Sequence, residues 1–416
     1  MFAKVLSLVL VAVSLCTPAV ARADVVLQWN LTMVMATGGQ NPFAQTRFAA
    51  ITQLAVFEAV NAIERNYQGY LPAGAVTAPS DASVDAAVAS AAHDVLEHYL
   101  PAQEAFLDAA LATSLAGIPD GPAKDAGIAA GQAAAAAMIA LRANDGSQVP
   151  LFYTAGPVVP GQWQPTPSCA ASQGRGAFFH WRNVTPFGIP SGDAFRLGPP
   201  PALLWGGYMT DFDEVKAVGS DDSVLRPFDR ATVAQFYAIT SPVNWANQVA
   251  RQVADAQGRS ISENARGLAL MNMALADAAI AVFDTKYHYN FWRPETAIHA
   301  AATDGNDRTE ADDSFAPFIV APCFPSYPSG HATLSYSAKE VLDRLYGASG
   351  HTITLTNPNA PGVSLAYTAF KPIVEDIDDA RVFGGIHFRF DQDGGGQQGR
   401  NLGAYIFKNN LKPKHP

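Results

Sequence analysis

Two cationic side chains, Lys286 and Arg293, lie seven residues apart in a segment rich in aromatic residues. Seven residues make nearly two turns of an α-helix, so a helix here would present both cations on one face. Two cations on one apolar face repel each other unless an anion lies between them, which favours an anion site. A solvated basic helix edge is the alternative interpretation. Pro294 is expected to end the helix at Arg293.

A second cluster is the segment Pro325-Ser-Tyr-Pro-Ser-Gly-His-Ala332, which a helical pattern follows at once. Ser329 is therefore a natural N-cap, and the unpaired amides of a helix start favour negative charge. Gly330 lets the backbone approach a ligand closely. His331, in the first turn, can give or take a proton beside a bound group. An ordinary serine cap with a surface histidine is the alternative.

A third cluster runs from Arg381 to Asp391. Gly384 and Gly385 permit a bend, so Arg381 and His387 need not share one helical phase. His387 and Asp391 are four residues apart and lie on one face if the segment is helical. The carboxylate can then hold one imidazole nitrogen and leave the other free for a ligand. Such a histidine serves as a metal ligand or a nucleophile, and a purely structural pair is the alternative.

Taken together, the three clusters predict a pocket for a tetrahedral oxyanion. Arginine suits bidentate contacts to oxyanions, and lysine supplies a point charge. Phosphate and vanadate are the natural occupants of such a pocket. The contributing groups are the cations Lys286, Arg293 and Arg381, the helix N-terminal amides at Ser329–His331, the acid–base residue His331 and the oriented residue His387.

Helical periodicity dominates the chain, and strand-like alternation is scarce outside residues 352–355. The first 145 residues are rich in alanine and sufficient for three to five helices. Prolines and glycines then break every periodic pattern. Helical patterns return at 207–218, 229–256, 259–284, 329–347, 362–383 and 394–410. We expect an all-α protein of two stacked helical bundles, with an N-terminal bundle at 24–145, a long Pro/Gly-rich connector at 146–206 and a C-terminal bundle with the oxyanion site at 207–416.

Composition and the N-terminus limit the classes of protein. The 416 residues are 49% apolar and 15% charged, which excludes a disordered chain, and the net charge of −10 argues against a nucleic-acid-binding protein.

Residues 1–23 combine a basic start, an apolar run and a small-residue cleavage site, as in a secretory signal peptide. An uncleaved anchor is the alternative. No later run looks long and apolar enough to span a membrane, so we expect a secreted or periplasmic protein.

Cysteine usage leaves one question open. Cys16 is removed with the leader, whereas Cys169 and Cys323 remain, 154 residues apart. Export makes a disulfide chemically possible. Spacing alone does not bring two cysteines together, so a bridge and two unrelated thiols both stay open.

The order Lys-x6-Arg-Pro, Pro-Ser-Gly-His and Arg-x5-His-x3-Asp resembles the signature shared by type 2 phosphatidic acid phosphatases and vanadium-dependent haloperoxidases. All three motifs are present within 106 residues of the C-terminal half. The surroundings are more similar to the haloperoxidases, notably Asn290-Phe-Trp-Arg-Pro294 and Gly385-Ile-His-Phe-Arg-Phe-Asp391. One departure is Ala380, where phosphatases usually have serine.

The resemblance implies a role for each matching residue. His387 would bind vanadium with Asp391 behind it, His331 would handle protons, and Lys286 would also polarise bound peroxide. The vanadate oxygens would be held by Lys286, Arg293, Ser329, Gly330 and Arg381. The halide pocket would comprise Phe283, Pro322 and Phe324. Chloride-oxidising relatives usually have tryptophan at the position of Phe283, so the halide stays open.

The activity implied by the resemblance is that of an exported vanadium-dependent haloperoxidase. Hydrogen peroxide and halide would be its substrates, an organic molecule could accept the halogen, and a homodimer is the expectation by analogy. The alternative is a secreted acid phosphatase, in which His387 is the nucleophile and His331 the general acid. Phosphate can occupy the same site. A third interpretation is an exported phosphate-binding or purely structural helical protein.

Overall fold

The computed structural model describes residues 24–414, and this part of the chain is mostly helical with one two-stranded sheet. The expected all-α fold of stacked helical bundles is confirmed. The predicted signal peptide lies outside the described residues. The domain boundaries at 145 and 206 stay a prediction, and one large apolar cluster contains residues of both halves.

Five α-helices precede the connector, in agreement with the three to five expected from the alanine content. Small residues let two of these helices approach closely: a Cβ added at Gly131 would lie 2.4 Å from the carbonyl oxygen of Ala87. Asn41 and Ser83 cap two helices with their side chains. The helices are α1 Val25–Thr37, α2 Pro42–Glu64, α3 Val84–Tyr99, α4 Glu104–Ala116 and α5 Pro122–Arg142.

The connector has no α-helix between 146 and 205, only short 3-10 turns at Pro167–Ser172 and Phe179–Asn183. It is nevertheless tied to the core. The buried carboxylate of Asp277 accepts hydrogen bonds from the amides of residues 187, 188 and 189 at 2.6, 2.7 and 2.9 Å. Backbone donors that would otherwise be buried without partners are thereby satisfied.

The C-terminal half contains eight α-helices and the sheet, in which the two strands are antiparallel. The helices are α6 Gly206–Gly219, α7 Phe228–Ile239, α8 Pro242–Ala256, α9 Ile261–Tyr289, α10 Pro294–Ala300, α11 Gly330–Tyr346, α12 Lys371–Val382 and α13 Arg389–Asn409. The strands are β1 Ser349–Thr356 and β2 Ser364–Ala369.

Three of the expected helical patterns were wrong in detail. The pattern at 229–256 is two helices, because Ser241 caps α8 and Pro242 begins it. The first part of 362–383 is strand β2, which pairs with β1 and hence depends on a partner outside the local sequence. The last helix begins at Arg389 rather than at 394.

Helix α9 is the centre of the molecule and packs against α2, α11 and α13. It is long and apolar enough to cross a membrane, so the expectation that no such run follows the leader was wrong. Its most apolar 18-residue window is fully buried by the surrounding helices. The composition therefore matches that of a core helix.

A glycine stripe on α13 sets the distance to α11. A Cβ added at Gly395, Gly399 or Gly403 would lie 2.6, 2.4 or 2.5 Å from a carbonyl oxygen of α11 or its N-cap. The backbones of the two helices are therefore in direct contact. At the same end, the Ser329 amide donates to the Asp391 carbonyl at 2.8 Å, which joins two of the predicted clusters.

Gly399→Ala is expected to lower the free energy of unfolding by about 1–3 kcal/mol, because the new methyl group would overlap the Thr333 carbonyl and force the backbones apart. Gly396→Ala is the matched control. Its Cβ would meet only the far end of Arg400 at 3.1 Å and the Tyr336 ring at 3.2 Å, which can move. Urea unfolding of both variants tests this. Equal stability of the two would contradict the close approach of α11 and α13.

Candidate anion-binding site

Lys286 lies in the last turn of α9 and has no exposed surface. Its ammonium donates to the carbonyl oxygens of Pro325 and Ser326 at 2.8 and 2.7 Å. Burial, together with the charge of Arg293, lowers the pKa of Lys286 well below its usual value. Two backbone carbonyls therefore position the amino group of Lys286 but supply no negative charge to balance it.

The expectation that Lys286 and Arg293 share one helical face was wrong. Helix α9 ends at Tyr289, and Asn290 turns the chain with φ 53° in the left-handed region. Arg293 is extended and precedes α10, of which Pro294 is the first residue. The turn brings the two cations to the same Phe324 ring, whereas helical phase does not.

Arg293 is completely buried and is held by carbonyl groups. Its Nε donates to the Phe324 carbonyl and its Nη1 to the Ile386 carbonyl, both at 2.9 Å. Nη1 also lies 3.0 Å from Nε2 of His387. The remaining nitrogen, Nη2, has no hydrogen-bond partner within residues 24–414.

Arg381 lies in the last turn of α12 and is 3% exposed. Its Nη1 lies 3.2 Å from Nε2 of His331, and in the described chain its Nε and Nη2 have no partner. Burial and the charge of Arg293 lower the pKa of Arg381 to about 9, so the group stays cationic at neutral pH. Buried donors without partners are costly and indicate a missing acceptor.

Ser329 is the N-cap of α11, as predicted from the sequence, and its Oγ accepts from the Ala332 amide at 3.3 Å. Gly330 begins the helix, and a Cβ there would lie 3.8 Å from Cε of Lys286. The start of α11 therefore lies beside the lysine. His331 follows and is partly exposed.

His387 is buried and is oriented by a carboxylate. Its Nδ1 lies 2.8 Å from Oδ2 of Asp391, which also accepts from Ser326 Oγ at 2.5 Å and from the Phe388 amide at 3.1 Å. Nδ1–H is then the donor to Asp391, which leaves the lone pair on Nε2. The contact arises from the start of α13 and not from one helical face, because His387 precedes that helix.

Both histidines are neutral. Desolvation, followed by the charges of the neighbouring cations, lowers the pKa of His331 and of His387 well below the usual value. For His331 the nearest cation is Arg381, and for His387 it is Arg293. An unprotonated Nε2 can act as a metal ligand or a base.

The residues expected around a halide lie beside the cations. The Phe324 ring centroid is 5.3 Å from Nζ of Lys286 and 5.1 Å from Cζ of Arg293. Phe283 packs edge-on against Phe324, with the ring centroids 5.3 Å apart. Pro322 lies in the same loop as Phe324 and accepts a backbone hydrogen bond from it at 2.9 Å.

The sequence did not predict that the loop 321–326 holds the cations. Its carbonyl groups bind Lys286 and Arg293, and Ser326 binds Asp391. Ser326 was visible only as a member of the second motif. Backbone carbonyls carry no sequence signal of their own, so this role could not be found from residue types.

Cys169 and Cys323 form a disulfide with their Cα atoms 5.0 Å apart, which answers the question left open by the sequence. Further bonds join the connector to the same loop. Ser168 Oγ donates to the Ala321 carbonyl at 2.5 Å, and the Ala177 amide donates to the Cys323 carbonyl at 2.8 Å. The covalent link therefore fixes the loop that holds the cations.

Residues 266–413 match the sequence model of the VCPO second helical-bundle domain. All three motifs lie within this match. Residues 266–413 belong to that domain family. The predicted resemblance to the haloperoxidase branch is thereby confirmed.

One curated relative is consistent with this domain match. The chain is 30% identical over 209 residues to the vanadium chloroperoxidase of Curvularia inaequalis, a match that covers 37% of this chain and 34% of that protein. The matched region thus spans about a third of the length of the curated relative.

Solved structures show the fold over a longer range. A bacterial vanadium-dependent iodoperoxidase superposes with a TM-score of 0.77 at 23% identity, covering 94% of this chain and 97% of that one. An apo-type bacterial vanadium-dependent chloroperoxidase gives 0.71 at 18% identity, covering 89% and 94%. The similarity in fold to these two structures therefore extends beyond residues 266–413 into the N-terminal half of the chain.

Loss of the disulfide is expected to weaken binding of inorganic phosphate about tenfold, as is typical when a supporting group of an ion site is removed. The reason is that the loop at Phe324 would no longer be fixed against the connector. Isothermal titration with phosphate compares the wild type, the dithiothreitol-reduced wild type and the double variant Cys169→Ala/Cys323→Ala. Dithiothreitol should change nothing in the double variant. Unchanged phosphate affinity in both disulfide-free forms would contradict the role.

Proposed function

We propose that the chain is a vanadium-dependent haloperoxidase that oxidises halide with hydrogen peroxide. The observation that carries this proposal is a buried cluster of cations beside a neutral histidine, His387, whose unprotonated Nε2 faces Arg293. Three guanidinium nitrogens of Arg293 and Arg381 lack partners in the described chain, and the nearby carboxylate of Asp391 is committed to His387. The relatives named above support vanadate as the occupant.

The donor set fits vanadate. Unpartnered guanidinium groups suit its oxygens, and Nε2 of His387 suits the metal, since imidazole is a common ligand of transition metals. Arg293, Arg381, Lys286 and the helix start at Ser329 and Gly330 would hold the oxygens. When bound, vanadate would supply the Lewis-acid chemistry that activates peroxide towards halide.

The remaining residues position groups and move protons. Two carbonyls hold the Lys286 ammonium group in place, so it could donate a hydrogen bond to an oxygen of a bound oxyanion. A neutral ring nitrogen of His331 could accept a proton from hydrogen peroxide, because burial, followed by the charge of Arg381, lowers the pKa of that histidine well below its usual value. Asp391 holds His387 in one tautomer.

The acid phosphatase alternative would use the same residues, with phosphate as the anion. The experiment below separates the two chemistries.

Export to an oxidising compartment is part of the proposal. The disulfide supports it, because such bonds persist mainly outside the cytosol.

The test begins with purified wild type incubated with orthovanadate and dialysed. Vanadium content by elemental analysis, oxidation of iodide and bromide, and hydrolysis of p-nitrophenyl phosphate by the vanadium-free protein are measured together. About one vanadium per chain with peroxide-dependent halide oxidation is expected. Efficient phosphate-ester hydrolysis without vanadium uptake would instead establish the phosphatase.

Three variants separate the roles of the site residues. His387→Ala should abolish halide oxidation and greatly weaken vanadate binding. Asp391→Ala should lower the rate of halide oxidation about 10–100-fold, because Asp391 only orients the His387 ring. His331→Ala should retain vanadium yet lose most halide oxidation, since it moves protons. Elemental analysis and iodide oxidation of each variant test this. Parallel loss of vanadium and activity in His331→Ala would show that His331 is structural.

A further inference from the structure

A cavity of about 400 Å³ lies between the N-terminal helices and the C-terminal half of the chain. Its walls come from α1, the start of α2, the end of α7, α8 and the loop that follows β1. Cavities of this size hold small organic molecules. The apolar side chains of the lining are Leu31, Val34, Met35, Ile239, Val243 and Pro358.

Arg251, on α8, is the only charged residue that lines this cavity. Its Nη1 donates to Oδ1 of Asn30 at 2.6 Å. Burial is the only effect that shifts the pKa of Arg251, which it lowers to about 10, so the group stays cationic at neutral pH. In the part of the chain that the structure describes, the guanidinium therefore has no countercharge.

The acceptor for Arg251 belongs to a buried chain of amides. Nδ2 of Asn30 donates to Oδ1 of Asn247 at 2.7 Å, so Oδ1 of Asn30 is the atom that faces the guanidinium. Nδ2 of Asn247 donates in turn to Oδ1 of Asn272 at 3.0 Å. These neutral groups orient Arg251 but balance no charge. A cation partly withdrawn from water in this way favours an anionic ligand.

Most uncharged polar side chains of the lining are hydrogen-bonded within the protein. Gln45 accepts from Ser241 Oγ at 2.7 Å, and Gln248 binds the amide and the carbonyl of Thr356 at 2.9 and 3.1 Å. Asn244 differs, since its Oδ1 is buried without a partner in the described residues. Thr37 and Asn357 also donate to backbone carbonyls. Arg251 is therefore the main polar anchor that the cavity offers to a ligand.

We propose that this cavity binds an aliphatic carboxylate, with the carboxylate on Arg251 and the hydrocarbon chain against the apolar walls. The guanidinium group matches the geometry of a carboxylate, and burial of methylene groups adds to the affinity. None of the lining residues belongs to the site around Lys286 and Arg293. The inference therefore goes beyond the proposed function and does not depend on it.

The first test compares three probes on the purified protein by isothermal titration. Phosphate is present in excess, so that the cations around Phe324 do not contribute to binding. Octanoate should bind at about one molecule per chain. Acetate lacks the hydrocarbon chain and 1-octanol lacks the charge, so each should bind about tenfold more weakly or worse. Equal affinity for octanoate and 1-octanol, or no binding of octanoate, would overturn the inference.

The second test removes the charge of Arg251. Arg251→Gln should weaken octanoate binding about tenfold or more, the value of one charge-assisted hydrogen bond, and should leave 1-octanol binding unchanged. Arg266→Gln is the matched control, because Arg266 is also half-buried and is held by a neutral acceptor, the Leu411 carbonyl at 2.7 Å, but does not line the cavity. It removes the same net charge and should change octanoate affinity by less than about twofold.

A third test leaves Arg251 and its bond to Asn30 intact. Met35 lines the cavity and is 59% exposed, so substitutions there should not impair folding. Met35→Glu adds a carboxylate that repels the ligand and should weaken octanoate binding about fivefold or more, whereas Met35→Gln, of the same size, should have little effect. This pair decides the question if Arg251→Gln does not fold. Octanoate binding that is insensitive to the charge at both positions would overturn the inference.

Discussion

Burial of three neighbouring cations is the constraint on which the rest of the site depends. Lys286, Arg293 and Arg381 are withdrawn from water, and the nearby Asp391 is engaged with His387 and Ser326. Removing charge from water is costly unless another charge or a full set of hydrogen bonds compensates. The protein supplies only part of that compensation, and a bound oxyanion would supply the rest.

Carbonyl groups supply the protein's part. The backbone oxygens of the loop 321–326 accept hydrogen bonds from Lys286 and Arg293, and the residues around this loop hold it in place. The disulfide ties it to the connector, and the connector is bound to α9 through Asp277. The long proline-rich segment is thus part of the site's support. Cooperation of this kind explains why the connector is ordered without helices.

The same cations lower the pKa of the two histidines of the site. Desolvation and cations together keep His331 and His387 neutral, so each retains a lone pair for a proton or a metal. Their different exposure separates the two roles: His387 is sealed behind Arg293, whereas His331 is partly exposed. Phe324 and Phe178 are neighbours, so aromatic side chains border the cations on this side.

Residue types and spacing alone were sufficient to predict the all-α fold, the three clusters and the N-cap at Ser329, because helical periodicity and capping are local properties. Local rules failed at Arg293, which was placed on a helix that it only flanks, and they left open whether His387 and Asp391 share a helix. A left-handed turn at Asn290 and the close contact of α13 with α11 decide those positions, and both depend on packing between distant segments. The disulfide and the carbonyl loop likewise join residues far apart in the chain. Only the tertiary structure fixes such contacts, because sequence spacing carries no information on which distant backbones meet.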